Sequence, residues 1–291
     1  MNNRGVGKYR MSLGVLSGSL TVLWAVIWLA STFKLVDRSA AGPFGLLTLF
    51  AFAWVHGAAR YGWKAMIAFI AIVIVVATIF ENLSVATGFP FGAYVHHMEP
   101  KLLYFPIFGM ISYPAMAYLG WSCATLLIGD GDRSRSPLGY LPAVVAAAFV
   151  VTGYDASVDP IFATLLGAWT YNHGGGYFGV PLSNCLGWLL TSGIFYSAFA
   201  VWLSRDPSLP RGGQGAFWRA QPALLLLLSG LSQPLMLLGA KNVTVMDQAG
   251  ASWRSHDLLV TTATMSVCTM LFVGVTGVLL AFGRRDDAVS P

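Results

Sequence analysis

Eight stretches of this chain are apolar over roughly the length that crosses a lipid bilayer. They run about Leu13–Phe33, Pro43–Ala59, Lys64–Phe80, Tyr104–Gly129, Leu138–Gly153, Ser183–Leu203, Gln221–Ala240 and Asp257–Gly283. A helix rises about 1.5 Å per residue, so about 20 apolar residues traverse the hydrocarbon core. Inside that core every backbone N–H and C=O must be satisfied within the segment, which selects helices. The chain therefore reads as all-α: a polytopic integral membrane helix bundle of about eight transmembrane helices. No polar linker divides it, and residues 1–291 read as a single transmembrane domain.

Charge supports that reading. Only 10% of the residues are charged, against about 25% in soluble domains. So few charges do not coat a soluble globule of 291 residues. That excludes an ordinary cytosolic enzyme, a disordered chain and a nucleic-acid binder with a basic face. With eight spans and a cytoplasmic N-terminus, the inner segments hold 12 of the 17 basic residues, Arg4, Lys8, Arg10, Arg133, Arg135, Arg284 and Arg285 among them. The outer segments hold Lys34, Arg38, Lys101, Lys241 and Arg254. This bias follows the positive-inside rule and accounts for the net charge of +5 without nucleic acid. The expected location is the cell membrane, multi-pass, with both termini cytoplasmic. The polar start Met1–Ser12 precedes a run without a small-residue cleavage site, so that run reads as a retained span. Cys123, Cys185 and Cys268 each fall in apolar runs and read as small core residues. The spacing of Gly14 and Gly18 could form a packing face in the first span.

Two connecting stretches differ from ordinary loops. One is ENLSVATGFPFGAYVHHMEPKLLYFP, Glu81 to Pro106; the other is GYDASVDPIFATLLGAWTYNHGGGYFGVPLSNCLGW, Gly153 to Trp188. Both are long, rich in Gly, Pro and aromatics, and carry acids at a membrane boundary. Loops of this kind usually hold function. The expectation is that they fold inward together at one end of the bundle. Glu81 closes the third run; Asp155 and Asp159 follow the fifth. Acids at this depth either end helices at the water interface or face a protein interior. If residues 155–159 are helical, their i,i+4 spacing sets both carboxylates on one face. Two close carboxylates in a low-dielectric site do not both ionise readily, so one retains a proton and can serve as a general acid.

Tyr94, Trp169, Tyr171, Tyr177, Phe178 and Trp188 surround these acids in the sequence. They read either as an interfacial aromatic belt or as the wall of a π-lined pocket that holds an apolar polyene and stabilises a carbocation. Asn184 and Asn82 either orient a water or a carboxylate, or cap helices. His96-His97, Glu99 and His173 lack the spacing of a metal site. No metal and no cofactor is expected.

The combination of Glu81, TGFPFGAY at Thr87–Tyr94, Asp155, Asp159-Pro160, Gly167-Ala-Trp169, Gly176-Tyr-Phe-Gly-Val-Pro181 and Asn184…Gly187-Trp188 resembles the carotenoid biosynthesis membrane proteins. That family includes the carotenoid 1',2'-hydratases and bisanhydrobacterioruberin hydratase. The resemblance covers a motif-bearing core of about residues 45–205. Tyr113-Pro114 stands where the family pattern has a tryptophan, and Asn172-His173 replaces a more apolar stretch. The resemblance implies a lyase that hydrates the terminal double bond of an acyclic carotenoid. The residues fit that chemistry: Asp155 or Asp159 gives a proton to the alkene, Glu81 is its partner or the base that activates water, and the aromatics with Asn184 bind substrate. A cyclase using the same cation with water excluded is the alternative, and a transporter or lipid-binding membrane protein a third reading. The expected partners are a hydrophobic isoprenoid or carotenoid and membrane lipid.

Overall fold

The first three apolar runs form long helices, α1 (Asn3–Thr32), α2 (Arg38–Tyr61) and α3 (Trp63–Thr87). In the computed structural model the described residues are 3–128, 136–205 and 215–283. A short ribbon segment, β1 (Tyr94–His96), and a hairpin of β2 (Lys101–Leu102) and β3 (Phe105–Pro106) lead into α4 (Ile107–Ile128). After α5 (Leu141–Pro160) come β4 (Trp169–Tyr171) and α6 (Leu182–Arg205). The chain ends with α7 (Ala216–Met236), a hairpin of β5 (Thr244–Met246) and β6 (Ser252–Arg254), and α8 (Ser255–Ser266) joined to α9 (Phe272–Gly283) by a π-helical turn. The architecture is an all-α polytopic bundle.

Seven rods among the described residues are long and apolar enough to cross a membrane. The remaining rod, α7, is interrupted by Arg219, Gln221, Pro222, Gln233 and Pro234, which lower its hydropathy. Its packing shows that it runs the depth of the bundle. Near its start, the Trp218 carbonyl lies 3.1 Å from Nε2 of His56 near the end of α2. Near its end, Ser232 accepts a 2.6 Å hydrogen bond from Trp28 of α1. Gly18 of α1 faces Phe217 and Gln221, so α1 and α7 run parallel. Gly274 and Gly277 press on Leu227 and Ala223, while Arg219 donates to the Ala281 carbonyl at 3.1 Å, so α9 runs antiparallel to α7. The first and last described helices therefore begin and end at the same end of the bundle. The basic residues Arg133, Arg135, Arg211, Arg284 and Arg285 lie outside the described residues.

The outer faces carry the side chains that lipid tolerates. Val22 and Val26 of α1, Val75 and Ile79 of α3, Phe149 of α5 and Leu279 of α9 are all exposed. The interior holds Phe52, Phe69, Tyr118, Trp121, Tyr196 and Phe199, all buried. Trp121 donates to the Tyr61 hydroxyl at 3.0 Å, and Tyr196 to the Ala117 carbonyl at 2.7 Å, so the polar atoms in this layer are satisfied. Cys123 is buried as expected, but Cys268 is exposed on the last rod and is not a core residue.

One boundary that the sequence leaves open matters for the site. From the sequence the fifth run either stops near Gly153 or runs on past Asp159 with a bend at Pro160; the helix takes the second course, continuing to Pro160 and then through a π-helical stretch, Ile161–Leu165. Asp155 and Asp159 thus sit within a helix, 6% and 1% exposed. Apolarity marks a span only while its polar groups are unpartnered; here side-chain donors meet both acids, so the helix carries them inside.

Candidate active site

The two motif stretches meet because their turns are built to approach. Helix α3 ends at Gly88, whose left-handed backbone (φ 85°) closes an N–H bond back to the Ser84 carbonyl. The Ser84 hydroxyl then accepts from the Phe91 N–H at 3.0 Å and donates to the Gly92 carbonyl at 2.8 Å, folding the loop over the helix end. Gly92 has φ 105°, and a Cβ there would lie 3.0 Å from Pro181 and 3.1 Å from the Ser183 hydroxyl of the second stretch. A residue with a side chain would strain the turn and push the stretches apart.

They join as an antiparallel ribbon, β1 on β4, with Tyr94 opposite Tyr171 and His96 opposite Trp169. Strand side chains alternate in direction, so Tyr94 and His96 share one face with Trp169 and Tyr171. That face looks onto the three acids. Glu81 accepts from the hydroxyls of Tyr94 and Tyr113 and lies 3.2 Å from Nε2 of His96. Asp159 accepts from the Trp169 indole at 2.7 Å, the Tyr171 hydroxyl at 3.0 Å and the Asn184 amide at 2.7 Å. The same Asn184 nitrogen reaches Asp155 at 2.8 Å. An amide carries two hydrogens, so one Asn184 nitrogen bonds each aspartate once.

The alternate residues of the ribbon, Val95 and its partner Thr170, point away. Val95 is exposed, and Nε2 of the exposed His97 lies 2.9 Å from the Thr170 hydroxyl. The adjacent histidines His96 and His97 therefore serve opposite faces.

The electrostatics follow from burial. Glu81 is 6% exposed and His96 9%. A carboxylate taken out of water costs several kcal/mol unless its lone pairs are met, and a hydrogen bond to a charged group returns about 1.5–3 kcal/mol. Glu81 and Asp159 each have three donors. Among the described residues Asp155 has one, Asn184. Burial, and then the neighbouring Glu81 charge, raise Tyr94 well above the ordinary phenol range; burial and then Asp159 do the same for Tyr171. Both phenols are therefore held protonated, as donors.

A cavity of about 810 Å³ opens at this cluster. It is lined by Glu81, Tyr94, His96, Tyr113, Asp155, Asp159, Trp169, Tyr171, Asn184 and Trp188, and it continues along an apolar wing between α1, α2 and α7 past Trp24, Trp28, Leu46 and Leu235. Its size falls in the range of ordinary small-molecule sites. Tyr113 stacks on Trp188 at 4.7 Å, and Trp169 on Phe162 at 5.6 Å, which stiffens the aromatic wall.

Eight of the residues singled out in the sequence thus come together: Glu81, Tyr94, Asp155, Asp159, Trp169, Tyr171, Asn184 and Trp188. Tyr177 and Phe178, expected in the pocket wall, do not line it. Tyr177 donates to the Ala156 carbonyl at 2.8 Å, and Phe178 packs on Trp253 of β6. The reason is the turn between them and Val180: Phe178 takes a left-handed φ of 50° and Gly179 sits against Asp247, so this corner seats the β5–β6 hairpin instead. Asn82 binds the Tyr104 N–H at 2.8 Å and ties down the first loop rather than a carboxylate.

Sequence reasoning missed Tyr113 and His96 as companions of Glu81. The signal for His96 was the Tyr94-Val95-His96 alternation. That for Tyr113 was a hydroxyl set two turns into an otherwise apolar run.

A family model described as "Carotenoid biosynthesis protein" matches residues 42–245. The matched region runs from α2 into β5 and holds all the polar residues of the cluster. No curated protein and no solved structure matches the chain.

Proposed function

Because the chain belongs to the carotenoid biosynthesis protein family, we propose that it is a membrane enzyme that protonates a terminal C=C of an acyclic isoprenoid or carotenoid and adds water to the cation. The observation that carries this reading is the pair Asp155 and Asp159, bridged by one Asn184 amide and buried at the wall of an apolar, aromatic cavity.

Protonating an alkene needs a strong acid that stays dry until substrate arrives. Asp159 has its lone pairs met by an indole, a phenol and an amide, the pattern of an ionised carboxylate. Asp155, with a single donor, is the member suited to carry the proton, since a second negative charge one helical turn away is costly in this interior. The acid delivers that proton to the CH carbon of the alkene, leaving a tertiary cation on its neighbour. Ring faces of Trp169, Tyr113 and Trp188 offer about 0.5–2 kcal/mol each to a cation beside them. Water adds to the cation, and the product is a tertiary alcohol. Glu81 acts as partner: its oxygens are occupied by Tyr94, Tyr113 and His96.

A cyclase is the second reading, favoured by the Tyr113–Trp188 stack, an aromatic wall that faces a cation without supplying it a nucleophile. Producing the protein in cells that make an acyclic carotene, and weighing the pigments, separates the two. A product heavier by one water supports hydration; a product of unchanged mass and altered retention supports ring closure; unchanged pigments refute both.

We assign the bundle end shared by the first and last helices to the cytoplasm, on the 12 of 17 basic residues that the eight-span alternation gathers there. A reporter fused after Asp287 that reads as periplasmic overturns the assignment.

A further inference from the structure

The cavity reaches further than its acids do. Glu81, Asp155 and Asp159 gather at one pole, and the apolar wing leads away from them between α1, α2 and α7. Trp24, Ile27 and Trp28 of α1 line it at the i, i+3, i+4 spacing, and Gly42, Gly45 and Leu46 of α2 repeat that spacing. Residues so spaced share one helix face, so each of these helices turns one row toward the wing. The wing follows α1 from Trp24 to Thr32, about 12 Å of helix at 1.5 Å per residue.

Its walls define what it takes. Among the described residues no charged group lines the wing; the acids and His96 all lie at the other pole. The Trp28 indole already donates to the Ser232 hydroxyl, and the Ser112 hydroxyl to the Gly109 carbonyl. A polar solute would lose its hydration here without finding partners, whereas an apolar chain needs none. The wing and the acids belong to one cavity, so a chain whose end lies at Asp155 extends into the wing without crossing a wall.

Two glycines keep the passage open. A Cβ on Gly45 would lie 3.7 Å from Ile27 and 3.9 Å from Trp24, in ordinary contact, so a longer side chain there has to enter the space between the two rows. Gly42 is exposed, and a Cβ on it would meet nothing within 4 Å. Pro43 beside it is exposed too, so the wing opens to the outside at this end. The flanking Phe33 and Phe44 are exposed apolar residues, so this mouth borders surface suited to lipid.

We infer that the wing is the subsite for the unreacting tail of the substrate, which lies between α1 and α2 and leaves toward the bilayer past Gly42, and that Gly42 and Gly45 set the bulk of chain admitted. The inference rests on the reading of the substrate as an acyclic isoprenoid. It adds that the chain behind the reacting end is recognised as well.

The test uses Gly45→Leu, Gly42→Phe and the alanine variants at both positions, each checked by monodisperse elution after solubilisation. Two quantities are measured. One is the acyclic carotene retained by the solubilised protein, read from its visible absorption. The other is the ratio of kcat/KM for that carotene to kcat/KM for a short acyclic terpene with the same terminal C=C. The wild type should prefer the carotene. Gly45→Leu and Gly42→Phe should lower the ratio by about 10–200-fold, the alanine variants by less, and retained carotene should fall in the same order. A substitution that only loosens the packing of α1 on α2 slows both substrates alike. An unchanged ratio in the two larger variants therefore overturns the inference, leaves hydration standing and assigns the wing to membrane lipid. If the wild type forms no product, the hydration reading fails and retention decides the subsite. A loss graded by side-chain size then keeps it, and equal retention in every variant removes it.

Discussion

The two acidic poles of the cavity are made of the same chemistry and differ in the donors they meet. Glu81 lies at the end of α3 and gathers its three partners from two elements: Tyr94 and His96 from the ribbon, and Tyr113 from α4. Asp155 and Asp159 lie one turn apart on α5 and divide a set of the same size between two carboxylates, Trp169, Tyr171 and Asn184, of which Asp155 has one bond. A single ribbon supplies both poles, two side chains to each, because its register sets Tyr94 beside Tyr171 and His96 beside Trp169. Donor number therefore differs where burial does not. A carboxylate with three donors is an acceptor that orients its neighbours. A carboxylate with one donor beside a second carboxylate is a place to keep a proton.

The sharpest way to break this contrast is Asp155→Asn, which keeps the shape and the bond to Asn184 but has no transferable proton. Alcohol formation should fall by about 10²–10⁴-fold while the protein still inserts and elutes as the wild type does. Retention of near wild-type turnover, with Asp159→Asn equally active, removes the acid from this pole.

At the other pole the expected loss is first in stability. Glu81→Gln sets an amide among three donors, and Tyr113→Phe removes one of them. Each should cost about 1–3 kcal/mol, seen as a lower melting temperature in detergent. Glu81→Gln should be the worse of the two, because it introduces a donor facing donors. Equal melting temperatures for all three proteins mean that the three-donor arrangement contributes nothing.

A pH series sharpens the same comparison through the tyrosines. Tyr94 and Tyr171 are raised well above the ordinary phenol range in the folded protein. A group with a raised folded value contributes stability below its unfolded value, about 10, and loses it as pH climbs toward the folded one. Melting temperature should therefore decline above about pH 10, and the decline should be shallower in Tyr94→Phe and Tyr171→Phe. An identical slope in both variants contradicts the burial of these phenols.

Tyr177→Phe should have the smallest effect. It removes a bond to the Ala156 carbonyl outside the cavity, so it should cost about 1 kcal/mol of stability and leave the activity of the folded protein as it was. A loss of activity comparable to that of Asp155→Asn returns Tyr177 to the substrate wall.

Much of this site was legible in the residues. Asp155 and Asp159 share a face because four residues are about one helical turn, a local fact that needs no tertiary information. Glu81 and Asn184 mark themselves as polar groups at the borders of apolar runs. Tyr113 was read only as a departure from a family pattern, since 32 residues separate it from the Glu81 it bonds. His96 was weighed as a metal ligand and set aside on its spacing, and its pairing with Glu81 went unread because that partner is 15 residues away across a turn. Tyr177 and Phe178 were grouped with the pocket by proximity in sequence, while the turn at Gly179 swings them under the β5–β6 hairpin.

Membrane class and helix number are local, additive properties, and hydropathy with charge bias is enough to read them. Even so, the crossing of α7 rests on its packing against α1, α2 and α9, since its own hydropathy is diluted by Gln221, Gln233 and two prolines. The division of labour among the acids is not local. It depends on the ribbon register that joins residues 94–96 to 169–171 and on the close contact that Gly92 permits with Pro181. A carboxylate's protonation is governed by the donors and charges within a few ångströms of it. Those neighbours come from α3, α4, α5, α6 and the ribbon together, so only the assembled bundle decides which acid keeps its proton.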